Sequence, residues 1–138
     1  MLLVCEYAMR TGQHAVAFML TASCYRMVRL LGLDSEERYR GRESLKGLAE
    51  EESERRLLWS CYTLDSFIGS GVDGNLHWKD DAPHVPFPCS ESDFVSQTRP
   101  LVPHLYMTDV VLDSNYLGLS ELRSNVIVLA RFRTQVLR

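Results

Sequence analysis

The stretch that decides the fold covers residues 52–65, ESERRLLWSCYTLD, and it forms the centre of a predicted helix over about residues 49–69. Three glutamates occupy the first turn, where negative charge complements the helix dipole. Glu51 stands four residues before Arg55, and the same acid-to-base spacing recurs one residue later. Pairs in this order stabilise a helix, so we expect both arginines to be structural and paired with nearby carboxylates.

The apolar residues of this helix predict that it is buried on more than one side. One stripe runs along it at helical spacing, and two aromatic residues widen that stripe. These residues are Leu57, Cys61, Leu64 and Ile68, widened by Trp59 and Tyr62. We therefore expect this helix to be the centre of the fold.

Composition and charge limit the classes of protein that fit. The chain has 138 residues, of which 46% are apolar and 24% charged, as is typical of one ordinary globular domain. Its net charge of −3 argues against a strongly basic nucleic-acid module. The longest apolar stretch is interrupted by Arg26 and Arg29, so we expect no membrane span.

The cysteines and histidines do not form a recognisable metal or catalytic motif. The four cysteines are far apart and include no C-x-x-C pair, and the histidines lack H-x-x-x-H spacing. We expect the thiols to be reduced and mostly buried, and His77 and His84 to be ordinary loop residues. The sequence predicts neither a catalytic residue nor a cofactor in this chain.

Two further helices are predicted before the central one. A helix end near Thr11 is followed by Gly12, and the next helix covers about residues 13–31 and ends at Gly32 with Leu33 packing back. The short connection predicts an antiparallel hairpin. The apolar residues at helical spacing in the second helix are Val16, Leu20, Met27 and Leu31, with Met19 and Leu30 beside them.

After the central helix the sequence predicts a long loop and then one last helix. Several glycines and prolines from Gly69 to Pro88 predict a loop with extended pieces, and residues 101–112 fit either a short helix or an extended segment. The last helix covers about residues 116–137. Its apolar stripe, which we expect to face inward, is Leu119, Leu122, Val126, Leu129 and Val136. The chain opens on apolar residues with no N-capping residue, which predicts a single, truncated domain over 1–138.

The central helix resembles the hallmark of the middle homology region of fungal zinc-cluster transcription factors. That family shows a Glu, two residues, Arg-Arg, an apolar residue and Trp-Trp, then an aromatic residue two positions beyond the next apolar or small residue, and then Leu-Asp. The matching residues are Glu52, Arg55, Arg56, Trp59, Tyr62, Leu64 and Asp65. The segments ASCYRMVRLLGLD at 22–34 and DDAPHVPFP at 80–88 also resemble family segments, whereas Leu58 replaces the first tryptophan.

The resemblance implies an all-α helical domain with the central buried helix at about 49–69 and a long loop containing glycine and proline. It implies a fragment of a larger helical domain that regulates transcription in the nucleus. Zinc and DNA would bind to an N-terminal module of six cysteines that this chain does not contain. The implied partners are other domains of the factor, transcriptional co-regulators and a small-molecule effector. The alternative interpretation is a generic helical protein-interaction scaffold that is unrelated to transcription.

Overall fold

The structure is a computed structural model that describes residues 1–39, 47–69, 76–78, 82–97 and 122–136. These residues form five α-helices and one 3₁₀ turn, and no strand occurs among them. The elements are α1 (Leu2–Arg10), α2 (His14–Leu31), the 3₁₀ turn (Glu36–Arg38), α3 (Leu48–Ile68), α4 (Glu91–Ser96) and α5 (Leu122–Val136). The all-α prediction is confirmed.

Helices α1 and α2 form the predicted hairpin. Gly12 has φ +75°, a left-handed conformation that glycine adopts without steric cost. Small buried residues line the seam between the helices, and the Cys5 Sγ lies 3.1 Å from Thr21 Oγ1 across it. The helices can approach closely because Ala8 and Ala17 are small and almost fully buried.

The end of α2 has the predicted glycine cap. Gly32 has φ +63°, and its N–H bonds to Arg29 O at 3.1 Å. Leu33 N donates to Val28 O at 3.0 Å, and the Leu33 side chain is buried. This is the Schellman arrangement, in which the residue after the glycine packs back onto the helix.

Helix α3 is the centre of the described fold, as the sequence predicts. It packs against each of the other four helices. The main apolar cluster joins residues of α2, α3 and α5 with residues of the proline-containing segment, which is residues 82–88. Its largest members include Trp59, Tyr62, Trp78 and Phe87. A smaller cluster lies between α1 and α2, with Leu64 and Ile68 packed against it.

The predicted apolar stripe is wrong on α2 and on the described residues of α5, whereas on α3 it is right except at Leu57, since Trp59, Cys61 and Tyr62 are buried. On α2 most of the expected stripe is exposed, because the small residues Ala17 and Cys24 form the buried face. On α3 the side chain of Leu57 is 44% exposed, and its neighbour Leu58 faces the core instead. The exposed α2 residues are Val16, Met19, Met27, Leu30 and Leu31, whereas Leu20 is half-buried.

On the last helix, α5, the described apolar residues that the sequence predicts to face inward are also exposed. Val126, Leu129 and Val136 are exposed, whereas Ile127 and Ala130 are buried. The small Ala130, which is fully buried, allows α5 to lie close to its neighbours, and it shares the buried face with Ile127 and Val128. Helix α5 begins at Leu122 in the described part of the chain, so the expected start at 116 and the side chain of Leu119 lie outside the described residues.

Helix α4 follows the predicted loop from Gly69 to Pro88, in a part of the chain where the sequence predicts no helix. Ser90 caps it, since Ser90 Oγ accepts a hydrogen bond from Asp93 N at 2.9 Å. A serine three residues before an acid is a helix-start signal, and Ser90 and Asp93 have this spacing. The prediction for residues 101–112 falls outside the described residues.

Candidate functional site

The residues that resemble a family hallmark lie on α3, where a buried network of charges begins at Glu52. The Glu52 side chain accepts hydrogen bonds from Arg55 Nη1 and, at 3.0 Å, from Arg56 Nε. It also accepts one from the backbone N–H of Cys89 at 2.9 Å, 37 residues along the chain. Glu52 is 3% exposed and Arg55 is 4% exposed. A buried carboxylate of this kind is tolerated because several donors satisfy it.

Arg55 connects this network to the turn after α2. Its Nη2 donates to Glu51 at 2.7 Å, and its guanidinium lies 5.6 Å from the centre of the Tyr39 ring. Tyr39 donates its hydroxyl hydrogen to Leu33 O at 2.9 Å, and burial raises the pKa of Tyr39 to about 12. The prediction that Arg55 pairs with nearby glutamates is confirmed.

Arg56 connects α3 to α4. Its Nη1 donates to Glu91 at 3.0 Å, and its guanidinium lies 3.9 Å from the centre of the Phe94 ring. Since Arg56 also binds Glu52, one side chain ties α4 to the buried network. Its pairing with a neighbouring carboxylate was predicted, although the sequence did not identify Glu91.

Aromatic residues of α3 hold the proline-containing segment. Trp59 Nε1 donates to Pro86 O at 2.9 Å. The Trp59 ring meets the Phe87 ring edge-on at 5.0 Å and the Tyr62 ring at 5.4 Å. These edge-on arrangements are favoured for aromatic pairs, and the buried indole N–H has the partner it requires.

Asp65, at the end of the hallmark, holds a second distant segment. Its Oδ2 accepts hydrogen bonds from the backbone N–H groups of His77 at 2.9 Å and Trp78 at 3.4 Å, and its Oδ1 lies 2.7 Å from His77 Nδ1. The His77 ring also lies 4.9 Å from the Tyr25 ring of α2. His77 was expected to be an ordinary loop residue, so its pairing with a buried carboxylate was missed, and no local spacing could have revealed it.

The structure brings the hallmark residues together on one helix without making all of them equally buried. Five of them are buried, whereas Arg56 and Leu64 are half-buried. The buried five are Glu52, Arg55, Trp59, Tyr62 and Asp65. The polar members make hydrogen bonds within the chain, and such an arrangement stabilises the fold.

The thiols have the properties of buried groups. Burial raises the pKa of Cys61 to about 12 and that of Cys89 to about 11, and it also raises the pKa of Cys24. Because the thiolate is the nucleophilic form, such thiols are poorly activated at neutral pH. Among the described residues, no three His, Cys, Asp or Glu side chains form a group that could hold a metal ion.

An open groove of about 990 Å³ lies beside the buried network, between α1, α2, α3 and α5. Most of its lining is apolar, and Leu31 and Leu57 are among its exposed lining residues. Its polar members include the thiols of Cys24 and Cys61. Such a groove has the size and character of sites that accept organic molecules or apolar side chains.

The comparisons with known proteins agree with the hallmark. Residues 1–130 match the family described as "Fungal specific transcription factor domain". The chain belongs to this family. The matched range contains all of α1 to α4 and most of α5, so family membership rests on nearly the whole chain and not on the hallmark alone.

A curated relative gives the same family context. The chain is 29% identical over 89 residues to the "Zn(2)-C6 fungal-type transcription factor FTF1c" of Fusarium oxysporum f. sp. lycopersici. The match covers 61% of this chain and 10% of that relative, so this fungal transcription factor domain corresponds to a small part of the relative's length. No solved structure matches the chain. In the described residues, no helix is long and apolar enough to cross a membrane.

Proposed function

We propose that this fungal transcription factor domain is the regulatory region of a zinc-cluster transcription factor and that it modulates transcription without catalysing a reaction. The observation that carries the proposal is the coincidence of the family hallmark with the structural core. Glu52 and Asp65 use their carboxylates to hold segments that are distant in sequence. A domain built in this way acts through its shape and surfaces, because its hallmark polar groups are occupied internally.

DNA and zinc binding belong, in this proposal, to a separate N-terminal module of the full-length factor. The net charge of −3 supports this division, since DNA binding relies on clustered positive charge. A structural zinc site needs about four nitrogen or sulfur ligands, and the described cysteines and histidines are not grouped in that way. The same proposal places the protein in the nucleus.

The proposed partners are other domains of the factor or transcriptional co-regulators. The hairpin of α1 and α2 exposes several large apolar side chains, including Leu3, Met19 and Leu30. Apolar residues that cluster on a protein surface often mark interaction sites. The adjacent groove offers a place for a small-molecule effector, the other partner class in this proposal.

A reporter experiment tests the regulatory role. The chain is placed between a heterologous DNA-binding module and an activation segment in a fungal reporter strain, and reporter output is compared at equal nuclear protein level with and without it. We expect the folded chain to change the output several-fold. Glu52→Gln should remove the change because it breaks the buried network, whereas Glu37→Gln, at an exposed position that does not line the groove, should retain it.

Unchanged output with the folded chain present would contradict the regulatory role and would favour the generic scaffold.

A second experiment tests the proposal that DNA and zinc bind to a separate module. It uses fluorescence anisotropy of the purified chain with fungal promoter duplexes. We expect non-specific binding with a Kd of about 10⁻⁴ M or weaker at physiological salt. Salt-resistant, sub-micromolar binding to one sequence, or stoichiometric zinc by mass spectrometry, would contradict it.

A further inference from the structure

Helix α2 has a second apolar face on the side turned away from the fold. Its buried side, which includes Ala17, Cys24 and Val28, packs against α1 and α3. On the other side, four large apolar side chains and one serine are exposed at intervals of three, four, four and three residues. At 3.6 residues per turn these positions lie within about 80° of one another, so they form one stripe along the helix. This α2 stripe consists of Val16, Met19, Ser23, Met27 and Leu30.

The α2 stripe is symmetric about Ser23. Val16 and Leu30 each lie seven residues from Ser23, and Met19 and Met27 each lie four residues from it. When two copies of α2 pair antiparallel about a two-fold axis at Ser23, each Val16 lies at the height of Leu30 of the second copy. Each Met19 lies in the same way at the height of Met27 of the second copy. The stripe is therefore self-complementary, as an interface between two identical chains requires.

Ser23 suits the position at the two-fold axis. A residue on the axis meets its own copy, and a small side chain there lets the two helices approach closely. The Ser23 hydroxyl already donates to Met19 O at 3.1 Å within the helix. Covering Ser23 at an interface therefore leaves no hydroxyl donor without an acceptor.

Charge favours the antiparallel pairing over a parallel one. Helix α2 contains no acidic residue, and Arg26 is exposed beside the stripe. In a parallel pair the two Arg26 side chains would stand at the same height and repel each other. In the antiparallel pair they stand six residues apart along the axis, which is about 9 Å. Each Arg26 then lies near the height of Met19 of the second copy, whose apolar side chain the arginine stem can cover.

We propose that the α2 stripe is the interface of a symmetric, antiparallel dimer of this chain, with the two-fold axis at Ser23. Covering the stripe and its flanking residues on both copies removes roughly 1,000 Å² of surface from water, which is at the small end of specific interfaces. We therefore expect a weak dimer with a Kd of about 10–100 µM, and a monomer at low micromolar concentration. The dimer goes beyond the proposed function, because a monomeric domain could also regulate transcription. It leaves the exposed residues of α1, such as Leu3 and Tyr7, to other partners.

Sedimentation-velocity ultracentrifugation of the reduced chain tests the dimer over roughly 1–500 µM, a range that spans the expected Kd. We expect the mass to rise from that of one chain towards that of two. Ser23→Glu should weaken the self-association at least about tenfold, because it places two carboxylates together at the axis. Ser53→Glu is the matched control, since it makes the same change at an exposed position of α3, and it should associate like the wild type.

A mixture of two charged variants tests the position of the axis. Ser23→Lys alone should also remain monomeric, because two ammonium groups then meet. An equimolar mixture of Ser23→Glu and Ser23→Lys should associate at least about tenfold more tightly than either variant alone, because opposite charges meet in the mixed dimer. A chain that stays monomeric at every concentration would overturn the dimer and would leave the stripe to a different protein. Dimerisation of Ser23→Glu at wild-type strength, or a mixture that stays monomeric, would overturn the placement of the axis at Ser23.

A cross-linking step keeps the test decisive if a charged variant fails to fold, which far-UV circular dichroism reveals. Ser23→Cys is oxidised mildly, and the disulfides are mapped by mass spectrometry after digestion. Helices that approach closely at the axis bring the two introduced cysteines within the Cα separation of about 4.4–6.8 Å that a disulfide needs. We expect a disulfide between the two introduced cysteines in Ser23→Cys and none in the control Ser53→Cys. Equal cross-linking of the two variants, or no cross-link in Ser23→Cys, overturns the proposal.

Discussion

The buried face of α3 and the exposed face of the α1–α2 hairpin both depart from the usual rule that apolar side chains are buried and charged side chains are exposed. On α3, charged side chains such as Glu52 and Asp65 are inside the protein, whereas on α2 the side chain of Leu30 is 86% exposed. The charged groups can be buried because each has several hydrogen-bond partners. The contrast shows that the buried residues of this domain include hydrogen-bonded charged groups as well as apolar side chains, so apolar periodicity alone does not identify the core.

The largest expected effect comes from breaking the buried charge network. Glu52→Gln should lower the free energy of unfolding by about 3–5 kcal/mol, because it leaves Arg55 buried without its full charge partner. The measurement is urea unfolding followed by circular dichroism. Glu6→Gln is the control, since the exposed Glu6–Arg10 pair should contribute only about 0.3–0.5 kcal/mol. Similar losses in the two variants would place Glu52 in a solvent-like environment.

Two adjacent leucines on α3 sharpen the comparison for apolar residues. Leu58 is fully buried, so Leu58→Ala should cost about 2–5 kcal/mol of unfolding free energy. Leu57→Ala should cost less than about 1 kcal/mol, because much of that side chain already contacts water. The two variants are compared in the same urea titration. A larger cost at Leu57 than at Leu58 would mean that Leu57 is the buried residue of the two, which would contradict their positions on α3.

Alkaline pH offers a third test, through the thiol of Cys61. Burial raises its pKa from 9.0 to about 12, so the unfolded chain loses this proton at lower pH than the folded chain does. The stabilisation is therefore complete below pH 9 and is lost as the pH rises from 9 towards 12. Between urea titrations at pH 8 and pH 10, Cys61→Ala should lose about 1 kcal/mol less stability than the wild type does. Parallel pH profiles would contradict the burial of this thiol.

The smallest expected effect concerns the exposed hairpin face. Leu30→Ser should change the free energy of unfolding by no more than about 0.5 kcal/mol, as is usual for surface substitutions. The same urea titration measures it. A loss above about 2 kcal/mol would mean that this leucine is covered in the isolated chain, and the contrast between the two faces would disappear.

Much of the helical framework could be predicted from the sequence because its signals are local. Gly12 and Gly32 follow helix ends, and their left-handed conformations appear as expected. The pairing of Arg55 with Glu51 also follows from spacing within one helix. In each case the interacting groups lie within a few residues of one another, where helix geometry fixes their relative positions.

What could not be predicted depends on contacts between distant segments. Glu52 binds the backbone of Cys89, and Asp65 binds His77 across a glycine-containing stretch, so neither partner is visible from local spacing. The stripe predicted for α2 lies on the wrong face because small residues occupy its buried side, and the buried face of α3 includes charged residues beside the predicted Trp59, Cys61 and Tyr62. Hydrophobic periodicity does not identify a face whose buried groups are polar and satisfied.

A double-mutant cycle on Glu52 and Arg55 tests the central claim, that a buried ion pair between these two side chains holds the hallmark helix. Unfolding free energies are measured in urea for Glu52→Gln, Arg55→Met and the double variant. We predict that the double variant loses at least about 1 kcal/mol less than the sum of the single losses, because each single change leaves one buried group without its partner. Losses that add to within about 0.3–0.5 kcal/mol would show that the two side chains act independently and would contradict the claim.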